Sequence, residues 1–426
     1  MQLRDSLGQP ITGATQPALL HFENALAELQ CYRGDPMAVI DKAILISPEF
    51  VMAHAMKGWL NLLGTDPQTI LAAREAADLA HHYSKLGSND RELGHVAAIS
   101  AMAGGHFLKA SRILEDVSIS HPRDGLALLA GHQIDFFTGQ SRMLRDRISR
   151  AMPHWDKTMP GFHSMLGMQA FGLEEMGDYA RAEALGRQGV DIEPRDGWSQ
   201  HAVAHVLEMQ ARHEEGVKWM EGNADGWTGD SFLQVHNWWH LALYRVDTGD
   251  FDSALKLYDE RIGWGNALAV LDKVDAASLL WRLHLKGVDV GKRFKDIASR
   301  WQEIAGAGNY TFNDAHAVMA FSGAGQIEMC QIVFEAQNKA MLLDNDNAIA
   351  TREIGRPVCE AFVAFAQGDY AHVVNLLRPI RNTASKFGGS HAQRDVIDLT
   401  LIEAAVRSGN RALGDALAFE RTNTRH

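Results

Sequence analysis

The sequence predicts an all-α chain built from stacked helix-turn-helix repeats, and three observations predict it. A glycine, a polar residue and an aromatic recur in that order at Gly105-His106-Phe107, Gly177-Asp178-Tyr179, Gly249-Asp250-Phe251 and Gly368-Asp369-Tyr370. Between such turns apolar residues return with helical spacing, as in Ile113, Leu114, Val117 and Ile119. Runs with the β-branched alternation of strands are essentially absent.

The clearest unit runs from Met176-Gly177-Asp178-Tyr179 through Ala182 and Ala184 to Asp191-Ile192-Glu193-Pro194. The glycine-aspartate pair permits a tight turn between two helices. The aromatic packs into the helix pair, small Ala182 lets the second helix approach the first, and Pro194 ends it. This is the second half of a tetratricopeptide repeat, so the expected architecture is a tetratricopeptide-like solenoid, a right-handed superhelix of helix-turn-helix units. Weaker turns sit at Gly139, Ala211-Arg212-His213, Gly287, Gly323 and Gly409, with successive spacings of about 34 to 45 residues. Residues 1–40 read as an N-terminal capping segment, with helix signals near Ala18–Gln30 and a break at Gly34-Asp35-Pro36. No low-complexity linker divides the rest, so residues 41–426 are expected to form one continuous repeat array.

Composition excludes several classes. The chain has 426 residues, 46% hydrophobic and 22% charged, with a net charge of −12 and no lysine or arginine run. Nucleic acid and anionic membrane both demand a basic footprint, so neither is an expected partner. No stretch approaches the ~20 apolar residues of a bilayer span, and the first residues lack an apolar secretory core. The three cysteines, Cys31, Cys330 and Cys359, are far apart and odd in number, which fits buried thiols in a reducing, cytoplasmic setting.

The surplus residue is histidine, with twenty copies. His201 and His205 share one helical face at i, i+4, as do His236 and His240, and Glu208 extends the first stripe. The pairs are 35 residues apart (236 − 201 and 240 − 205). One repeat length therefore separates them, which places them at matching positions on consecutive first helices, ~8–10 Å apart. Such a cluster suits a divalent metal or, without one, acid-base chemistry. The literal His-Glu-x-x-His motif is absent, because Ala202 and Val203 follow His201. Register decides the alternative: if Ala211 occupies the turn-glycine position the histidines face the inner, concave side, and if Arg212 does they move toward packing positions. Further candidates are His132 and His316, each seven residues before a turn glycine, and Asp314 in a comparable segment. Trp198, Asn237, Trp239 and Tyr244 flank the histidines. Gly388-Gly389-Ser390-His391-Ala392-Gln393-Arg394-Asp395 is a loop entering a helix with Ser390 as N-cap, where Arg394 and backbone amides can hold an anion, Asp395 is a further ligand-binding candidate, and the alternative is a capped helix start with a salt bridge.

Several segments together resemble the tetratricopeptide repeat protein 38 family. They are Phe50-Val51-Met52-Ala53-His54-Ala55-Met56, Pro153-His154-Trp155, Asp196-Gly197-Trp198-Ser199-Gln200-His201-Ala202-Val203-Ala204-His205 and His236-Asn237-Trp238-Trp239-His240-Leu241-Ala242-Leu243-Tyr244. Asn313-Asp314-Ala315-His316 and Gly389-Ser390-His391-Ala392-Gln393-Arg394-Asp395 extend the match over nearly the whole chain. The resemblance implies a repeat fold and marks the histidine segments as distinctive; it carries no catalytic roles. The expectation is thus a repeat protein that binds a small polar molecule or peptide in a histidine-rich concave groove. The alternative is a hydrolytic or acid-base enzyme in which His201, His205, Glu208, His236 and His240 act, with or without a divalent metal. A homodimer through a terminal repeat is a further assembly the fold allows.

Overall fold

The computed structural model describes residues 3–263 and 265–423. Its helices are α1 (Gln16–Cys31), α2 (Pro36–Ile46), α3 (Val51–Leu62), α4 (Ile70–Ser84), α5 (Asp90–Ala103), α6 (Phe107–Ser120), α7 (Gly125–Phe137) and α8 (Ser141–Ala151). There follow α9 (Phe162–Glu174), α10 (Tyr179–Ile192), α11 (Gly197–Met209), α12 (His213–Gly222), α13 (Ala224–Trp227), α14 (Gln234–Asp247), α15 (Phe251–Leu257) and α16 (Val270–Leu285). The series ends with α17 (Arg293–Trp301), α18 (Thr311–Gly323), α19 (Ile327–Ala340), α20 (Asp346–Ala350), α21 (Arg356–Ala366), α22 (Tyr370–Leu377), α23 (His391–Arg407) and α24 (Arg411–Asn423). Among the described residues there is no β-strand, only two isolated bridges, Arg4 with Pro10 and Arg33 with Ser231. The protein is an all-α helical-repeat array of the tetratricopeptide-like kind.

The turns explain the regularity. Gly105, Gly177, Gly249 and Gly368 adopt left-handed φ values of 82, 79, 78 and 79°, which a side chain resists and glycine does not. At Gly177 the chain closes a double hydrogen bond: Gly177 N–H reaches Glu174 C=O at 2.8 Å and Asp178 N–H reaches Leu173 C=O at 2.9 Å. These bonds satisfy carbonyls the helix end leaves open. The same pattern joins Asp250 to Arg245 and Asp369 to Ala364. Ala211 takes this place in its own repeat, with φ 54° and Arg212 N–H on Leu207 C=O at 2.8 Å. The turn expected at Gly323 lies two residues later: α18 runs through Gly323, and Gly325 carries the left-handed φ of 71°.

The chain divides into two compact units. The first comprises residues up to Phe136, Gln140–Val203 and Asn223–Gln234. Here α1 packs on α2, α3 on α4, α5 on α6 and α9 on α10. First helices such as α9 are buried on every side, from Ser164 to Glu174. Second helices such as α8 and α10 bury one stripe, for example Leu144, Arg147, Ile148 and Ala151. The inner side of this unit is filled where the end of α1 meets the start of α11: Tyr32 stacks on Trp198 at 5.3 Å and 12°. Beside it, Arg33 donates to Gly226 C=O at 2.6 Å.

The second unit comprises Phe137–Gly139, Ala204–Gly222 and the chain from Val235 onward. Its first helices α16, α18, α21 and α23 pack in series, and α23 also returns onto α16. Trp281 of α16 donates to Thr400 Oγ1 at 3.0 Å, and Arg282 donates to Ala392 C=O at 2.6 Å. That return sets α23 against α16 through Trp281 and Arg282.

Candidate functional site

Helices α11 and α14 supply the site. His201, His205 and His240 are 1%, 0% and 0% exposed, while the His236 side chain retains 14% exposure. Within the second unit, His205, His236 and His240 each offer one donor atom, and these atoms lie within 4.8 Å of one another. In the second unit, the His205 and His240 ring centroids are 4.4 Å apart and those of His236 and His240 4.9 Å apart, both edge to face.

The convergence does not come from equivalent repeat positions. Counted back from the left-handed turn residue, His201 and His205 lie ten and six residues before Ala211 (211 − 201 and 211 − 205). His236 and His240 lie thirteen and nine before Gly249 (249 − 236 and 249 − 240). The pairs are therefore staggered by three residues, close to one helical turn. The 35-residue spacing of the sequence reflects this stagger within a longer repeat.

Two carboxylates orient the rings. His240 Nδ1 donates to Glu208 Oε2 at 3.2 Å, and His236 Nδ1 lies 2.9 and 3.0 Å from the two oxygens of Asp275. With the proton of a neutral imidazole held on Nδ1, the lone pair is on Nε2. This carboxylate–histidine arrangement accompanies metal-bound histidine. Burial, with His236 and Arg282 adding to it, holds His240 well below the usual histidine pKa, so it is neutral at pH 7. Neutral imidazole is the form that ligates.

Aromatic packing fixes the frame. His236 stacks on Trp239 at 5.3 Å and 15°. Trp239 donates to Ser278 Oγ at 3.1 Å, and the Arg282 guanidinium lies 5.3 Å from its ring centroid. Tyr244 donates to Ala204 C=O at 2.6 Å, and burial followed by the nearby Glu208 raises its pKa well above the ordinary tyrosine range. Asn237 is fully buried on α14. Glu208 also lines a polar cleft of the second unit, together with Asp247, Arg282, Lys286, Asp395 and Arg421. Its carboxylate thus stands between His240 and a solvent-reaching surface.

The remaining candidates are placed elsewhere. His132 is buried against Trp198 and Phe171, with ring centroids 5.8 and 5.9 Å away. Asp314 accepts from Gln337 at 3.3 Å, and burial pushes its carboxyl up to about 7. His316 Nδ1 donates to Phe312 C=O of its own helix at 2.7 Å. The Arg394 segment forms a capped helix start: Ser390 and Gln393 cap reciprocally, Arg394 donates to Gly389 C=O, and Asp395 pairs with Arg421 at 2.6 Å. Sequence reasoning missed Asp275, because it lies 39 residues from His236 on a different helix (275 − 236) and no local motif announces it.

Burial of His132 has a measurable consequence. Desolvation, reinforced by Arg147, lowers its pKa to about 3, while in the unfolded chain it titrates near the ordinary histidine value of 6.5. Below pH 6.5 the unfolded state takes up a proton the folded state refuses, so stability falls as pH drops from 6.5 toward 3. The loss is about 1.4 kcal/mol per pH unit for this one group. His132→Phe is expected to lose roughly 2–3 kcal/mol less than the parent between pH 6.5 and 4.5 in urea titrations. Equal losses in the two proteins would show that His132 is not buried in its neutral form.

No known protein-family profile matches the chain. Among solved structures, the crystal structure of the APC/C hetero-tetramer Cut9–Hcn1 aligns over 95% of this chain and 76% of that chain, at 10% sequence identity and a TM-score of 0.36. So distant a likeness carries no argument about this protein's function. No helix among the described residues is long and apolar enough to cross a membrane.

Proposed function

We propose that this helical-repeat protein binds a divalent transition-metal ion in its histidine stack. The ligands are the Nε2 atoms of His236 and His240 and a ring nitrogen of His205, with His201 one turn before His205 on the same helix. One observation carries this reading: two of the rings hold their Nδ1 on a carboxylate, Glu208 for His240 and Asp275 for His236. A packing histidine needs no such orientation, whereas a ligating one gains basicity and a fixed tautomer from it. The all-nitrogen donor set favours zinc, copper, nickel or iron over magnesium or calcium. Membership in the tetratricopeptide repeat protein 38 family belongs to the same reading, since the segments that carry the resemblance contain the four histidines.

Binding of a small polar ligand, expected from the sequence, thus narrows to an ion enclosed by helices. The enzymatic alternative is favoured by Glu208, which touches His240 on one side and a polar cleft on the other. A carboxylate so placed can pass a proton between the cleft and a metal-bound water.

The test uses the purified protein, stripped with chelator and titrated with zinc by calorimetry. About one equivalent is expected to bind, and Asp275→Asn is expected to weaken binding ~10–100-fold, the usual cost of losing an outer carboxylate. Asparagine keeps the size and one acceptor oxygen, so the fold is retained. Absence of zinc uptake by the stripped parent protein removes the proposal.

A further inference from the structure

A second cluster lies in the first unit, where three residues distant in sequence meet. Cys31 is the last residue of α1, and Tyr32 beyond it turns left-handed at φ 56°. The Cys31 Sγ is 3.8 Å from His163 Nε2, a hydrogen-bond distance for sulfur. On the other side of the ring, His163 Nδ1 is 2.8 Å from Asp196 Oδ2. Asp196 is itself immobilised, because it caps α11. Its Oδ1 accepts from the Trp198 and Ser199 amides, each at 3.0 Å, and its Oδ2 accepts from Ser199 Oγ at 2.7 Å. His163 enters from the first turn of α9, just after Gly161 at φ 79°. The result is a thiol, an imidazole and a carboxylate in line, the order a cysteine nucleophile requires.

Charge and access agree with that order. The His163 side chain keeps 12% exposure and Cys31 8%, so the ring edge and the thiol are near the surface without being loose in it. Burial opposes a charge on His163, but the hydrogen bonds with Asp196 and Cys31 outweigh it and lift its pKa to about 10. Arg195 adds a second cation in electrostatic reach of Cys31. The dipole of α1 works against a thiolate at its C-terminal end, so the imidazolium and Arg195 have to supply the stabilisation. Cys330 and Cys359 lack this setting: burial raises both thiols, and their partners are Ser322 and Gln337.

We propose that Cys31, His163 and Asp196 form a nucleophilic site for an activated acyl group, an ester or thioester carbonyl. The Sγ thiolate attacks the carbonyl carbon and forms an S–C bond. The bond from that carbon to the leaving oxygen or sulfur breaks, and the leaving atom takes the proton from His163 Nε2. The ring, now neutral, accepts a proton from water, whose oxygen attacks the thioester carbon. The S–C bond breaks, the acid departs, and the thiolate–imidazolium pair is restored. No electron changes hands and no co-reactant beyond water is needed. Cys31 and His163 are the catalytic residues; Asp196 positions the ring.

The proposal stands apart from the histidine stack and is tested on chelated full-length protein. With p-nitrophenyl acetate, a burst of about one equivalent of p-nitrophenolate is expected, as is typical when an acyl-enzyme accumulates. Mass spectrometry is expected to find the acetyl group on Cys31 and not on Cys330 or Cys359. Cys31→Ala removes the burst, and His163→Gln slows it ~100-fold or more, the usual share of a general base. A variant-free readout guards against misfolding: iodoacetamide should alkylate Cys31 in the folded parent protein at least ~10-fold faster than Cys330 or Cys359, whose thiols burial raises. Alkylation or acetylation of Cys31 no faster than that of Cys330 overturns the proposal.

Discussion

Zinc added to the chelated protein at a thousandfold excess over its Kd is expected to raise the unfolding free energy by about 4 kcal/mol. The double substitution His205→Ala, His240→Ala is expected to abolish that rise. The effect is large because the unfolded chain scatters residues that α11 and α14 hold together, so the ion binds the folded form alone. His205 and His240 are the right pair to remove, since their rings meet at 4.4 Å and both are fully buried. Loss of two buried side chains also lowers the baseline stability of the variant. The decisive quantity is therefore the shift on adding zinc, measured by urea titration within each protein. Equal shifts in parent and variant would place the ion elsewhere, and no shift in the parent would leave the histidines as packing.

The second large effect lies in the first unit, where Arg147 of α8 pairs with Asp135 of α7 and neither side chain reaches solvent. Arg147 Nε and Nη2 meet the two carboxylate oxygens at 2.8 and 3.1 Å, and Nη2 also reaches Ser111 Oγ at 2.9 Å. Ser111 in turn donates to Asp135 at 2.6 Å, which ties α6 to the pair. Arg147→Ala leaves a carboxylate buried without its cation and is expected to cost about 3–5 kcal/mol. Thermal unfolding should drop by roughly 10 °C. The apolar double variant Arg147→Met, Asp135→Leu removes both charges and is expected to recover much of that loss. Arg142→Ala serves as the control, because Arg142 pairs with Asp146 while 81% exposed and exposed pairs contribute little. A melting temperature for Arg147→Ala within a degree of the parent would show that this pair does not hold the unit together.

Much of the repeat was legible locally. Gly177-Asp178 and Gly249-Asp250 announce their turns because the left-handed φ and the hydrogen bonds that close it involve residues within six positions of each other. The i, i+4 histidine pairs were legible for the same reason, since helical geometry alone puts them on one face. Ala211 resolves the register question, because it occupies the left-handed position that glycine takes in neighbouring repeats. That register does not by itself set how deeply the rings lie, because burial depends on what packs over the face, and His205 and His240 are fully buried.

What sequence by itself determined, then, is the helical repeat, its turn chemistry and the residues that carry the four imidazoles. Tertiary structure alone decided their depth, their partners and the stagger of one pair against the other. The return of α23 onto α16 is made through Trp281 and Arg282, contacts that span more than a hundred residues. Asp275 reaches His236 across 39 residues, and Cys31 meets His163 across 132. Such contacts are set by small rotations that accumulate from repeat to repeat, and no local pattern of side chains encodes their sum.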